Sequence, residues 1–357
     1  MLETSNFESD FASSEWAKRS EYWIAESAKP KRKRRVRERN SNPLILAGHG
    51  TSLRVEKGTL LIKQGFTHYP QKAEQFRFFK GDLELPRMII LLDGSGTISF
   101  EVLNWLGAQG VALARIKWDG STAIFASGAG FVANAEKLRW QFELQSNEVK
   151  RLEFAKDLLS RKFVNCLATL EAQFESSTKR EKATAKAQWA IAELERSRFC
   201  EMQDLRGIEG QVAAAYFTVW TEIQMQWKAE GRYPIPDNWC SYRSRSSILT
   251  GKKSRNWKAS HPINAMANYA YAVRVAQLQI EAVANGYDPY SGIMHHSRPD
   301  FPAYAYDLVE PERPKVDAMI LEFVQRHTFT GADFVIRTDG VCRLSPQLAG
   351  VVSSLVL

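Results

Sequence analysis

LEFAKDLLSRKFVNCLATL, residues 152–170, carries Leu152, Ala155, Leu159, Phe163, Cys166 and Leu170 at spacings of three and four. That interval places all six on one face of an α-helix. The stripe sits in a stretch from Glu136 to about Glu195 rich in Ala, Leu, Glu, Lys and Gln, the strong helix formers. Ala187, Ile191 and Leu194 repeat the spacing. Further helices are predicted over Glu209 to Lys228 and Ile263 to Ala284. Upstream of Gly130 the pattern changes. Pro43 to Ala47, Thr51 to Val55, Thr59 to Lys63, Gln75 to Phe79 and Met88 to Leu92 read as strands, the second and third joined at Glu56-Lys57-Gly58 as in a hairpin. Ser99 to Ala108 has helical spacing, and Val111 to Ile116 returns as a strand. The expected fold is α+β: a small β-rich N-terminal domain over 41–130, then a larger all-α domain over 131–346. Residues 1–40 form an extension with a basic linker, and 347–357 a C-terminal tail.

The chain has 357 residues with 44% hydrophobic and 25% charged side chains, the balance of a globular protein. Single cores stop growing at roughly 250–300 residues, which agrees with two domains. Met88 to Leu92 is the longest aliphatic run and is far too short to cross a bilayer. Residues 1–30 lack the apolar core of a secretory signal. The cysteines, Cys166, Cys200, Cys240 and Cys342, form no C-x-x-C pair, so a reducing cytoplasm is expected. The formal charge is +8, but Lys29 to Arg39 alone holds eight basic side chains and one acidic; subtracting that +7 leaves +1 for the rest. Such a run binds polyanions without sequence preference, or merely solubilises. Composition leaves both open.

Three motifs bear on chemistry. Gly94-Ser95-Gly96, between a strand and a helix, imitates a phosphate-binding βαβ turn, but the third glycine and the later acidic residue are missing. A connector glycine pair is the better reading. Arg206-Gly207-Ile208-Glu209-Gly210 opens an Ala-rich helix. There Glu209 would sit in the first turn, answering the helix dipole for about 0.5 kcal/mol, and the glycines would let another backbone approach. Finally, Gly286 to His296 is a Gly/Pro-punctuated loop ending in His295 and His296. It is followed by Asp307 and, at the start of the next helix, Glu310. Asp307 lies one turn before Glu310, so the two carboxylates can face one point. One histidine with carboxylates suits a hard cation such as Mg²⁺ or Mn²⁺. An exposed histidine pair beside a helix-start acid is the plainer alternative, and spacing alone does not choose.

Taken together, these segments resemble the CRISPR-associated endonuclease/integrase family, the catalytic subunit of the spacer-acquisition complex. Arg206 to Tyr216, His261 to Val273, Gly286 to His295 and Asp307 to Pro314 match four family motifs in order, and Asp333 to Pro346 matches the usual C-terminal end. The resemblance implies a β-rich domain before an α-helical catalytic one. It puts the catalytic metal ligands, for Mg²⁺ or Mn²⁺, on Glu209, His295 and Glu310, with Asp307 and His296 as supporting or alternative ligands. It departs at Asp300-Phe301, Ala303-Tyr304 and Glu312, none of them a ligand.

By the same resemblance the chain is expected to insert spacer DNA into a CRISPR array, a 3′-hydroxyl attacking a phosphodiester. It would act on double-stranded DNA as a homodimer, two dimers being bridged by a small ferredoxin-like subunit in a hetero-hexamer, with no membrane involved. Candidate DNA-binding residues are Arg243, Arg245, Lys252, Lys253, Arg255 and Lys258, in a loop that also holds Trp239, Tyr242 and Trp257. Basic and aromatic residues interleaved in this way suit strand tracking. The alternatives are a mobile-element integrase, a branched-DNA repair nuclease, or a non-catalytic DNA-positioning subunit.

Overall fold

The computed structural model describes residues 43–65, 74–92, 94–116, 122–126, 134–196, 201–245, 258–298 and 301–356, with positions 18, 21 and 22 ahead of them. The basic run at 29–39 and the candidates Lys252, Lys253 and Arg255 lie outside the described residues. Residues 39–357 belong to one compact unit.

The strand-rich half holds two four-stranded sheets. In the first, β1 (Leu44–Ala47), β5 (Met88–Leu92) and β7 (Ala112–Ile116) run parallel, and β8 (Thr122–Ala126) pairs antiparallel with β7. In the second, β2 (Thr51–Glu56), β3 (Thr59–Lys63) and β4 (Gln75–Phe78) form an antiparallel meander, and β6 (Gly96–Ile98) lies parallel to β2. Helix α1 (Phe100–Gln109) leads from β6 to β7. The period of two decides the layers. Leu46, Ile89 and Leu113 point into a core with Leu53, Leu60, Ile62, Val102 and Trp105. Their neighbours Ala47, Ile90, Leu92, Ala114 and Ile116 point the other way, into the core of the helical half. A sheet covered on both faces needs continuous apolar strands, which is why β5 reads Met-Ile-Ile-Leu-Leu.

Gly94 and Gly96 are connectors. A Cβ on Gly94 would stand 1.9 Å from the Gly48 carbonyl oxygen, and one on Gly96 2.0 Å from that of Thr51. Ser95 O accepts the N–H groups of Gly50 and Thr51 between them. The two backbones touch at these positions, which is what requires glycine there.

After β8 the chain is mostly helical. Helices α2 (Ala135–Ser146) and α3 (Glu148–Gln173) are capped by Asn134 and Asn147, whose side chains accept first-turn N–H groups. Together with α4 (Thr178–Arg196) and α5 (Met202–Val219), the stripe from Leu152 to Phe163 closes a core with Ala187, Ala190, Leu194, Leu205, Ile208 and Val212. Helix α6 (Pro262–Ala284) is buried on nearly all sides, as its apolar circumference requires. Its N-cap is His261, whose Nδ1 accepts from Ile263 N at 3.3 Å; burial holds this imidazole down to about 4 and hence neutral. Helices α7 (Ala303–Val309) and α8 (Arg313–Arg326) follow.

The helical half is not purely α. The two-stranded ribbons β9 (Gln226–Trp227) with β10 (Thr328–Phe329), and β11 (Phe334–Ile336) with β12 (Cys342–Leu344), gather Trp227, Trp239, Phe329 and Phe334 into one aromatic cluster. The C-terminal stretch set apart as a tail is α9 (Pro346–Ser354), whose Leu348, Ala349 and Val352 are buried in the main core. No described helix is long and apolar enough to cross a membrane.

Candidate active site

The site forms where α3, α5 and the turn between α7 and α8 meet. Glu209 is not in a first turn: α5 begins at Met202, so Glu209 lies well inside the helix. The glycines misplace the start on sequence, because Leu205, Ile208 and Val212 bury the helix across them. Neither glycine is needed for a close approach, since a Cβ on Gly207 or Gly210 would meet nothing within 4 Å. The helix also ends at Val219, in a 3₁₀ turn over Trp220–Glu222, rather than at Lys228. Glu310 likewise does not start a helix but stands in the 3₁₀ turn Glu310–Glu312 between α7 and α8. Helix α3 holds that turn: Asn165 Nδ2 donates to Pro311 O at 2.6 Å, and Thr169 Oγ1 to Pro314 O at 2.7 Å.

The two glutamates meet through a residue that sequence reasoning missed. Lys162 Nζ, on α3, donates to Glu209 Oε1 at 2.5 Å and to Glu310 Oε2 at 2.6 Å. Arg313 Nη2 stands 3.2 Å from Glu310 Oε1. The Glu310 side chain is 4% exposed and that of Glu209 25%. Burial by itself raises the Glu310 pKa, but the Arg313 guanidinium and the Lys162 ammonium outweigh it and hold the carboxyl at about 2. Burial equally opposes the Lys162 charge, and Glu310 and Glu209 overcome it, keeping that pKa above its ordinary value.

His295 comes from the loop after α6, and the loop is tied on both sides. Gln141 Nε2 donates to Asp288 O and Ser291 O, Gln145 Nε2 to Gly292 O, and Arg151 Nε to Ile293 O. Inside, Asp307 accepts Ile293 N, Met294 N and His295 N, and its Oδ1 is 2.7 Å from His295 Nδ1. Asp307 therefore does not share a point with Glu310, although one turn separates them; it is consumed by the loop. His295 Nε2 faces Glu310, 3.9 Å from its Oε1. His296 is exposed and looks elsewhere: Arg151 first, then slight burial, Arg206 and Arg298 lower its pKa.

Among the described residues no group of three His, Cys, Asp or Glu is close enough together to hold a metal. The donor chemistry nevertheless suits a hard cation, because two carboxylates already close on one in the Lys162 ammonium. The His295 Nε2 points toward the second of them. Of the DNA-binding candidates, Arg243 is exposed, Lys258 is half-buried, and Arg245 donates to Asn268 Oδ1 at 2.7 Å. Arg245 also lines a cavity of about 120 Å³ shared with Lys162, Glu209, Tyr271, Arg313 and Asp317.

The missed residues gave weak signals. Lys162 and Arg151 look like ordinary solvated charges on an amphipathic helix. Arg313 was legible as a position of the fourth motif, but not as the partner of Glu310.

Comparison with known proteins shows the family and the fold. Residues 44–354 match the family model of CRISPR associated protein Cas1. CRISPR-associated endonuclease Cas1 1 of Methanospirillum hungatei is 26% identical over 324 residues, covering 88% of this chain and 87% of that one. CRISPR-associated endonuclease Cas1 of Leptospira interrogans is 25% identical over 206 residues, covering 56% and 74%. The fold is shared with a casposase bound to its integration product (TM-score 0.71, 21% identity, 88% and 81% covered) and with a CAS1 protein from Thermotoga maritima (0.65, 16%, 88% and 90%). A family match that spans residues 44–354, most of the described chain, settles the assignment: the chain belongs to the family of CRISPR associated protein Cas1.

Proposed function

We propose that this chain is a metal-dependent DNA endonuclease and integrase that joins spacer DNA to a CRISPR array, in adaptive antiviral defence. The observation that carries the reading is that Glu209 and Glu310, from separate motifs, converge on one cationic centre with His295 alongside. Glu209, Glu310 and His295 Nε2 would hold Mg²⁺ or Mn²⁺, which when bound supplies Lewis acidity to the hydroxyl and charge neutralisation to the phosphate. In joining, a bond forms between the attacking 3′-oxygen and phosphorus, and the target strand's own 3′-oxygen leaves with the bonding pair and takes up a proton. With water as the nucleophile the same site cuts.

The chain's own residues do the rest. Asp307 orients His295 by accepting a hydrogen bond from its Nδ1–H, which leaves Nε2 as the coordinating atom. Arg313 and Lys162 bring positive charge to where the phosphate must bind, and Arg245 and the loop that follows it are the proposed strand contacts. The solved neighbours described as a casposase bound to integration product and as Cas6-RT-Cas1–Cas2 complexes support DNA and a small partner subunit as partners. A homodimer bridged by that subunit completes the proposal.

The test is transfer of a short duplex with 3′-hydroxyl ends into supercoiled plasmid, with Mn²⁺, Mg²⁺ or EDTA and with the small partner supplied. Joining that needs metal and that Glu209→Ala abolishes while DNA binding survives is the expected result. Binding without joining or cutting in any metal would make the chain a DNA-positioning subunit.

A further inference from the structure

We propose that Lys162 is a resident counter-cation of the site, competing with the divalent ion for Glu209 and Glu310 and so setting the affinity for metal. The inference rests on the metal-binding reading above and adds a residue to it. Its basis is positional. The Lys162 side chain is 13% exposed, and its ammonium reaches carboxylates from two other elements, at 2.5 and 2.6 Å. Those oxygens are the ones a divalent ion would take. A carboxylate oxygen in contact with an ammonium is not available to a second cation, and like charges a few Å apart in a protein interior repel strongly. Entry of the ion therefore requires the ammonium to leave.

The structure offers it a destination. Lys162 lines the small cavity whose other walls include Asp317, Tyr271 and Arg245. The four-carbon stem of lysine swings readily, unlike the planar fork of arginine. Asp317 is a buried carboxylate on the same cavity, accepting hydroxyl hydrogens from Tyr216 and Tyr271. The displaced ammonium stays inside the site, where it adds positive charge beside the incoming phosphodiester. The arrangement trades metal affinity for phosphate affinity, since the charge that weakens the ion's hold strengthens the site's attraction for DNA.

The experiment measures Mn²⁺ binding by electron paramagnetic resonance on wild type, Lys162→Met and Glu310→Gln, with circular dichroism to confirm folding. Methionine keeps the length and removes the charge, so Lys162→Met is expected to bind Mn²⁺ at least about ten-fold more tightly than wild type. Equal or weaker binding by folded Lys162→Met would overturn the proposal. A second arm needs no variant: wild type is treated with an amine-reactive reagent with and without saturating Mn²⁺, and labelling of Lys162 is read by mass spectrometry. Labelling should change several-fold with the metal, since the ammonium leaves both glutamates; identical labelling at saturation overturns the proposal even where Lys162→Met fails to fold. If neither wild type nor Lys162→Met shows Mn²⁺ binding that Glu310→Gln abolishes, the metal reading itself has failed, and this inference with it.

Discussion

The Asp307 carboxylate takes both the backbone N–H of His295, at 2.9 Å, and its ring Nδ1, at 2.7 Å, while being wholly buried. A carboxylate only accepts, so Nδ1 carries a proton in this contact, and Nε2 is the ring nitrogen turned toward Glu310. With the N–H groups of Ile293 and Met294, Asp307 thus fixes the loop's path, the ring's rotation and the ring's tautomer at once. Asp307→Asn replaces one acceptor edge by an N–H₂ that must face either His295 or the Ile293 and Met294 amides, leaving donors opposed to donors. We expect Mn²⁺ affinity to fall about 10- to 100-fold, the usual scale for groups that orient a metal-binding histidine. A Mn²⁺ titration of the folded variant checks this.

Gly292 is required by the same loop for a steric reason. A Cβ there would lie 2.4 Å from the Ala303 Cβ and 2.6 Å from the His295 carbonyl oxygen. Neither is the movable end of a side chain, so the loop or the start of α7 must shift. Gly292→Ala should cost about 1–3 kcal/mol, the range for an overpacked site, read as a lower unfolding midpoint in urea. Joining activity should fall further than stability alone explains, because the displaced group carries His295. A midpoint equal to wild type would show the loop to be compliant.

Asp317 gives a pH signature. Burial raises its carboxyl to about 6, against the pull of the Tyr271 hydroxyl, Arg245 and the Tyr216 hydroxyl. Between pH 4 and 6 the folded chain thus keeps a proton that the unfolded chain has released, and this group's contribution to stability falls as pH rises. His261 acts oppositely over much of the same window. Burial lowers it to about 4, so the unfolded chain takes up a proton that the folded chain refuses, and its contribution rises with pH. Glu310, held at about 2, loses its contribution as pH falls from about 4.5 toward 2, so it touches only the acid edge of that window. Asp317→Asn removes the first effect alone. Its stability relative to wild type should therefore climb by up to about 3 kcal/mol from pH 4 to 7. Parallel denaturation curves at both pH values would contradict this.

Much of the architecture was legible because it rests on periodicity. The run of five apolar residues in β5 and the stripe from Leu152 to Leu170 each have a partner surface that the structure supplies. Glu209, His295 and Glu310 were legible as one set through the family motifs, but Lys162, which joins the glutamates, was not: it is one residue off an apolar stripe and reads as solvent-facing. Asp307 was legible as an acid near the site, and its role was not, because that depends on backbone amides that have no letter in the sequence. His261 reads as part of a motif and proves to be a helix cap.

The misread start of α5 leads to a last prediction. Glycine inside a helix costs about 0.5–1 kcal/mol relative to alanine, chiefly through backbone entropy. A close neighbour would justify it, but a Cβ on Gly207 or Gly210 meets nothing within 4 Å, and α5 runs helical through both. Gly207→Ala and Gly210→Ala should therefore each stabilise the isolated chain by about 0.5–1 kcal/mol, seen as a higher urea midpoint. Both glycines lie on the exposed side of α5, and the open space there offers room to a DNA backbone passing the site. The same substitutions should then weaken DNA binding or joining while raising stability, measured on one preparation. A loss of stability would mean that something approaches these glycines after all; a gain with unchanged DNA binding and joining would place the DNA path elsewhere.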